Sequence, residues 1–212
     1  MRFKMLIFIS LSFTFSVKAQ EQLALDSLLS EYYHLATTSQ DSTLYKEKFF
    51  EAFPNNFQLF DSVYGWHEIG DSLYINLLYD ESLYHIDFFF ELFNTIDKNV
   101  FVTKVINISL NGYSAVDAVN IFQHRMTKLF LNNTELFLSV LESYIDIEIK
   151  SFWHFFFDNC VFGHVALLKE YKKVYEEVKA LSYDRILILM EEQYTHDYTE
   201  GLKRYENRDF DK

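Results

Sequence analysis

VFVTKVINISL, residues 100–110, is the stretch on which the fold class turns. Its β-branched residues, followed by Asn111-Gly112, suit a strand entering a tight hairpin. A strand needs a partner, and the next segment supplies none. Residues 115–131 place Val119, Phe122, Met126 and Leu129 on one face of a helical wheel, with Asp117, Asn120, His124 and Thr127 on the other. A lone strand would leave its backbone groups unpaired. Residues 100–110 are therefore read as helix.

The helical reading extends upstream. A first helix is expected over 21–36 and a second over 43–53, stopped by Pro54, whose ring cannot donate an N–H. Asn56 caps a short helix to Tyr64, which Gly65 ends. Another spans 82–93, with Asp87 and Glu91 as its polar strip.

Downstream, Leu167, Tyr171, Val174, Val178 and Leu181 recur at alternating steps of four and three, which marks an amphipathic seam. Arg185 occupies the next apolar position and breaks a coiled-coil register. Ser182 is expected to cap a last helix through Tyr194. The charged residues from Gly201 onward are expected to fray.

One proline, five glycines and 23 phenylalanines leave little material for loops and much for a core. The expectation is an all-α single domain of roughly eight to ten short helices, in an order that stacked helical hairpins would suit. It covers 20–200, with 201–212 as a charged tail. No fixed-period repeat is present.

The N-terminus reads as a secretory signal peptide. MRFK is a short basic region, MLIFISLSFTFSV is an apolar run, and Val17-Lys18-Ala19 places small residues for cleavage between Ala19 and Gln20. No cysteine follows the run, so a lipid anchor is excluded, and no transmembrane anchor is expected after cleavage. The expected location is the periplasm or the cell surface. Losing Arg2, Lys4 and Lys18 with residues 1–19 reduces the 19 basic residues to 16 against 31 acidic ones, a net charge of −15. Such a chain repels nucleic acid and favours a protein partner that is basic. The same charge also keeps an aromatic-rich chain soluble.

Candidate chemistry is sparse. In IKSFWHFFFD, residues 149–158, Ile149, Phe152, Trp153, Phe156 and Phe157 gather on one side of a wheel. Lys150, His154 and Asp158 follow at four-residue spacing on the other, and only Phe155 breaks the division. His and Asp four apart can share a metal or form an acid–base pair. A zinc site needs three or four ligands, however, and HExxH is absent. A solvated helix face is the plainer account. No nucleophile elbow, P-loop, GxGxxG or CxxC occurs, and no cofactor is implied. His67-Glu68 and His196-Asp197 are isolated dipeptides, and His85 reads as a hydrogen-bonded core histidine. Cys160 is alone, so no internal disulfide forms. It reads as a small buried hydrophobe, since Gly163 interrupts any helix joining it to His164.

Four short motifs recur: Asp26-Ser27-Leu28, Asp41-Ser42-Thr43, Asp61-Ser62-Val63 and Asp71-Ser72-Leu73. They resemble the acceptor sequence of the general O-glycosylation pathway of Bacteroidota, which implies sugar on Ser27, Ser42, Ser62 or Ser72. Helix punctuation by Asp and Ser is the alternative. The blocks FFEAFPNNFQLFDSVYGW (49–66), HIDFFF (85–90), DAVNIFQHRM (117–126) and IKSFWHFFFD (149–158) resemble an uncharacterised family of small exported helical proteins from Bacteroidota. The resemblance implies export and a helical fold and carries no catalytic residues.

Two classes of function stand. One is an exported acidic binding protein, such as an immunity protein that neutralises a toxin at the envelope, with acidic side chains steering it onto a basic target. The other is a small hydrolase-like enzyme using His154 and Asp158. A structural envelope protein is a third possibility.

Overall fold

The computed structural model describes residues 23–69, 72–115, 117–158 and 164–208. The expected signal peptide and cleavage site, and Cys160, lie outside them. Among these residues ten helices follow one another: α1 over 23–38, α2 (Ser42–Ala52), α3 (Phe57–Tyr64), α4 (Ser82–Glu91) with a 3-10 turn at Leu92–Asn94, α5 (Lys98–Ser109), α6 (Ala118–Asn132), α7 (Thr134–Leu141), α8 (Asp146–Phe157), α9 (His164–Ala180) and α10 (Asp184–Arg208). The fold is an all-α single domain.

The pivotal stretch is α5. Asp97 caps it, its carboxylate accepting from the N–H groups of Asn99 and Val100, both at 3.0 Å. Phe101, Val102, Val105, Ile106, Ile108 and Ser109 are fully buried, so the helix is covered on most of its circumference. Near-complete burial needs an almost continuous apolar sequence, which is why this helix resembles a strand. Asn111 follows the helix with φ 57, the left-handed conformation that closes a helix C-terminus. The Asn-Gly pair that would serve a hairpin serves here as a helix stop, and the Asn111 N–H donates to Ser151 Oγ at 2.7 Å.

Two aromatic clusters flank α5. One gathers Phe49 and Phe50 of α2, Phe53 just beyond its end, Phe60 and Tyr64 of α3, and Phe88 and Phe89 of α4 against Phe101. The Phe53 and Phe89 rings stack at 4.1 Å. The other joins Phe130, Phe137, Phe152, Trp153, Phe156 and Phe157. Helix α6 belongs to both, presenting Phe122 to the first and Phe130 to the second. Lys104 of α5 reaches the end of α2, where its ammonium donates to the carbonyls of Phe50 and Glu51 and lies over the Phe50 ring. It satisfies acceptors that the helix stopped by Pro54 cannot satisfy itself.

Three differences from the sequence reading have clear causes. A small antiparallel hairpin, β1 (Trp66–Ile69) with β2 (Ser72–Ile75), pairs Trp66 with Ile75 and Ile69 with Ser72. Its signal is Gly70-Asp71 between two short β-compatible runs. The last helix runs well past Tyr194 and Gly201 to Arg208, so the expected fraying point lies inside a helix. Ser182 has φ 61 and closes the turn after α9 instead of capping α10.

Phe155, the residue out of place on the wheel, is 1 % exposed because α8 has a second buried side. Its ring packs on Phe57 and Phe122 and lies against Gly112, where an added Cβ would overlap the Phe155 and Phe57 rings. Gly112→Ala should therefore cost about 1–3 kcal/mol by overpacking, read from urea midpoints.

His85 is the buried histidine that the sequence reading expects. Its Nδ1 lies 3.2 Å from the Tyr64 hydroxyl, among the rings of Tyr33 and Phe49. Burial pushes the imidazole down to about 4. Glu81, 3.5 Å from Nε2, pulls the other way, but its carboxylate is half in water and burial prevails. Burial, reinforced by Asp26 and Glu81, also raises the Tyr64 phenol. The folded state thus holds His85 neutral, while the unfolded chain protonates near pH 6.5. Stability should fall as pH drops from about 6.5 to 4, with roughly 3 kcal/mol of that loss from this group. Denaturant melts against pH should show this part of the slope missing in His85→Gln.

Candidate functional site

The strip of Lys150, His154 and Asp158 lies along α8, and about a fifth of the chain separates each of them from its partner. Lys150 Nζ is 2.7 Å from Glu192 Oε2. His154 Nδ1 is 3.0 Å from Asp197 Oδ2. One turn earlier, Asp146 pairs with Arg185 at 2.6 Å, and Arg185 also donates to the carbonyls of Glu142 and Tyr144. Residues 146, 150 and 154 thus meet 185, 192 and 197 in rising order, so α8 and α10 run parallel along an ionic seam. The strip read as a solvated face is the edge on which α10 docks. Arg185, which breaks the apolar repeat, is the first rung.

Asp158 ends α8. Its Oδ2 accepts the Ser114 N–H at 2.8 Å, and its carbonyl accepts from Gln123 Nε2 at 2.9 Å. His154 Nε2 is 3.9 Å from Asp158 Oδ2. The two carboxylates therefore address opposite nitrogens of one half-exposed ring and do not converge on a point. Among the described residues no group of three or more His, Cys, Asp or Glu side chains is placed to hold a metal ion. Burial would raise the Asp197 carboxyl, but His154, Gln193 and His196 contacts outweigh it and hold the group below the usual range. The sequence reading left His196-Asp197 as an isolated dipeptide. The fold supplies its partner, His154.

Beside this seam lies an open groove of about 750 Å³ over α10, bounded by Tyr171 of α9 and by Glu191, Glu192, His196 and Glu200. Burial first, and then Glu191, push the Tyr171 phenol up to about 12. Tyr171 stacks on Tyr194 at 3.8 Å, which fixes the floor. A second pocket of about 360 Å³ between α4 and α6 holds the bidentate pair of Arg125 and Asp87, at 2.6 and 3.0 Å.

Of the Asp-Ser/Thr motifs, Ser27 is exposed in mid-α1, Ser42 opens α2, and Ser62 is half-buried in α3. Ser27 and Ser62 bond back to the carbonyls of Leu23 and Leu59. Asp26 and Asp61 sit inside helices, so punctuation does not account for those two motifs. The Ser72 side chain lies outside the described residues, as do those of His67, Glu68 and His164.

Trp153 is fully buried against Phe130, Phe152 and Phe157, whereas His154 beside it is 39 % exposed by side chain. Trp153→Ala should cost about 3–5 kcal/mol, and His154→Ala about 0.5–1 kcal/mol, because a half-exposed ion pair is screened. Asp197, with its lowered carboxyl, contributes stability above its ordinary range that is lost as pH falls through its folded value. In His154→Ala the Asp197 resonance, followed by NMR, should titrate at higher pH than in the wild type.

No helix among the described residues is long and apolar enough to cross a membrane. Comparison with family models, with curated proteins and with solved structures finds no match for this chain.

Proposed function

We propose that this protein is an exported acidic binding module, of the immunity-protein kind, which engages a basic protein partner through the outer face of α10. The observation that carries the reading is the open groove bounded by Glu191, Glu192 and Glu200. Carboxylates gathered on a rigid helix focus the field of an already acidic chain and raise the encounter rate with a cationic partner. The side chains that an enzyme would use here have structural employment. Lys150 and His154 hold α10, and Asp158 holds residue 114.

A second reading, a small hydrolase, draws on the pair of His154 and Asp197, whose 3.0 Å contact orients the imidazole as an acid–base pair does. It requires Nε2 to reach a substrate beside Asp158. Loss of an envelope hydrolase activity in His154→Asn, with stability intact, would favour it.

Co-purification from envelope extracts tests the first reading. The wild type should retain a basic protein at about 50 mM salt and release it at about 500 mM, as screening of exposed charges demands. Glu191→Gln/Glu200→Gln should retain much less. Equal retention by that variant, or no basic protein retained, would overturn the assignment.

A further inference from the structure

The first turns of α8 and α10 leave three isoleucines in water. Ile145, Ile147 and Ile188 are 62, 68 and 53 % exposed, whereas Ile149, Ile186 and Leu189 of the same two helices are buried. The ion pair of Asp146 and Arg185 brings these turns together. Ile147 is the residue after Asp146, and Ile188 lies one helical turn beyond Arg185, so the two flank one rung of the seam. A clustered aliphatic patch rimmed by charge is a mark of an interaction surface.

The patch is continuous with the acidic face. Ile188, Glu192, Thr195 and Thr199 recur at steps of four, three and four and form the solvent side of α10, with Glu191 half-buried at its edge. This stripe spans about three turns, on the order of 17 Å. It is apolar at the start of α10 and anionic beyond it.

We infer that the patch and the stripe form one docking surface for a cationic amphipathic helix of a partner protein. The partner's apolar residues sit on Ile147 and Ile188, and its lysines or arginines lie over Glu191, Glu192 and Glu200. This rests on the reading of the protein as an acidic binding module and adds what the partner must look like. Charge complementarity selects the occupant. An anionic bilayer would face the carboxylates with its own negative charge, and a second copy would oppose one acidic stripe to another.

Two synthetic peptides of about 14 residues and equal net charge separate the contributions: a leucine–lysine amphipathic helix, and the same sequence with serine for leucine. Titration calorimetry at about 50 mM salt should show the amphipathic peptide binding the wild type at least about tenfold more tightly, as apolar anchors do. Ile147→Ser/Ile188→Ser should erase that preference and leave the serine peptide's affinity unchanged. Glu191→Gln/Glu200→Gln should weaken both peptides. Ile147 and Ile188 are exposed and Glu191 and Glu200 half-buried, and unchanged circular dichroism and melting points would show that the variants fold. Equal affinity of the wild type for the two peptides would overturn the docking surface while leaving the acidic reading in place. Failure of both peptides to bind would overturn that reading as well. Binding to phosphatidylglycerol vesicles, or dimerisation that Ile147→Ser/Ile188→Ser abolishes, would give the patch to a different occupant and overturn the inference.

Discussion

The burial of α5 is the constraint on which the rest of the molecule depends. A helix with Phe101, Val102, Val105, Ile106 and Ile108 all out of water has apolar surface on several sides at once. It cannot rest on a single neighbour. Helices must cover it from more than one direction, which here means α2 to α4 on one flank and α7 and α8 on the other. The two aromatic clusters are the inner faces of those covers. Phenylalanine suits this work because its flat ring fills wide gaps between helices with few rotatable bonds.

The polar groups that remain inside are placed by the same geometry. Ser109 Oγ bonds to the Val105 carbonyl of its own helix at 2.8 Å and also meets Met126 Sδ. Gln123 ties α6 to the carbonyls of Phe155 and Asp158. His85 and Tyr64 satisfy one another across α3 and α4. Each of these side chains makes at least one bond within reach of its own helix or the next, although His85 Nε2 and Gln123 Oε1 are buried without a hydrogen-bond partner among the described residues.

What could be read in the sequence follows the range of the interactions concerned. Local ones were legible: the Asn56 cap, the stop at Pro54, and the helical nature of 100–110 inferred from the lack of a partner strand. The apolar arc of 149–157 was legible too, since a wheel needs only neighbours. The role of Lys150, His154 and Asp158 was not. Their partners, Glu192, Asp197 and Ser114, are about 40 residues away, and no local spacing predicts such meetings. Phe155 looked misplaced because its neighbours, Phe57, Gly112 and Phe122, belong to three other segments. The hairpin was missed because its strands are four residues each, too short for alternation to stand out.

The parallel course of α8 and α10 has a consequence for the order in which the molecule assembles. Two parallel helices cannot be joined by a tight turn, so the 17 residues of α9 must carry the chain back along the bundle before α10 can begin. The seam closes over a long loop, and its closure entropy is overcome only when α9 is already formed. Helix α10 therefore reaches α8 only after α9 has carried the chain back along the bundle. Its arrival joins the two ends of that path, since Tyr194 packs on both Phe157 of α8 and Tyr171 of α9.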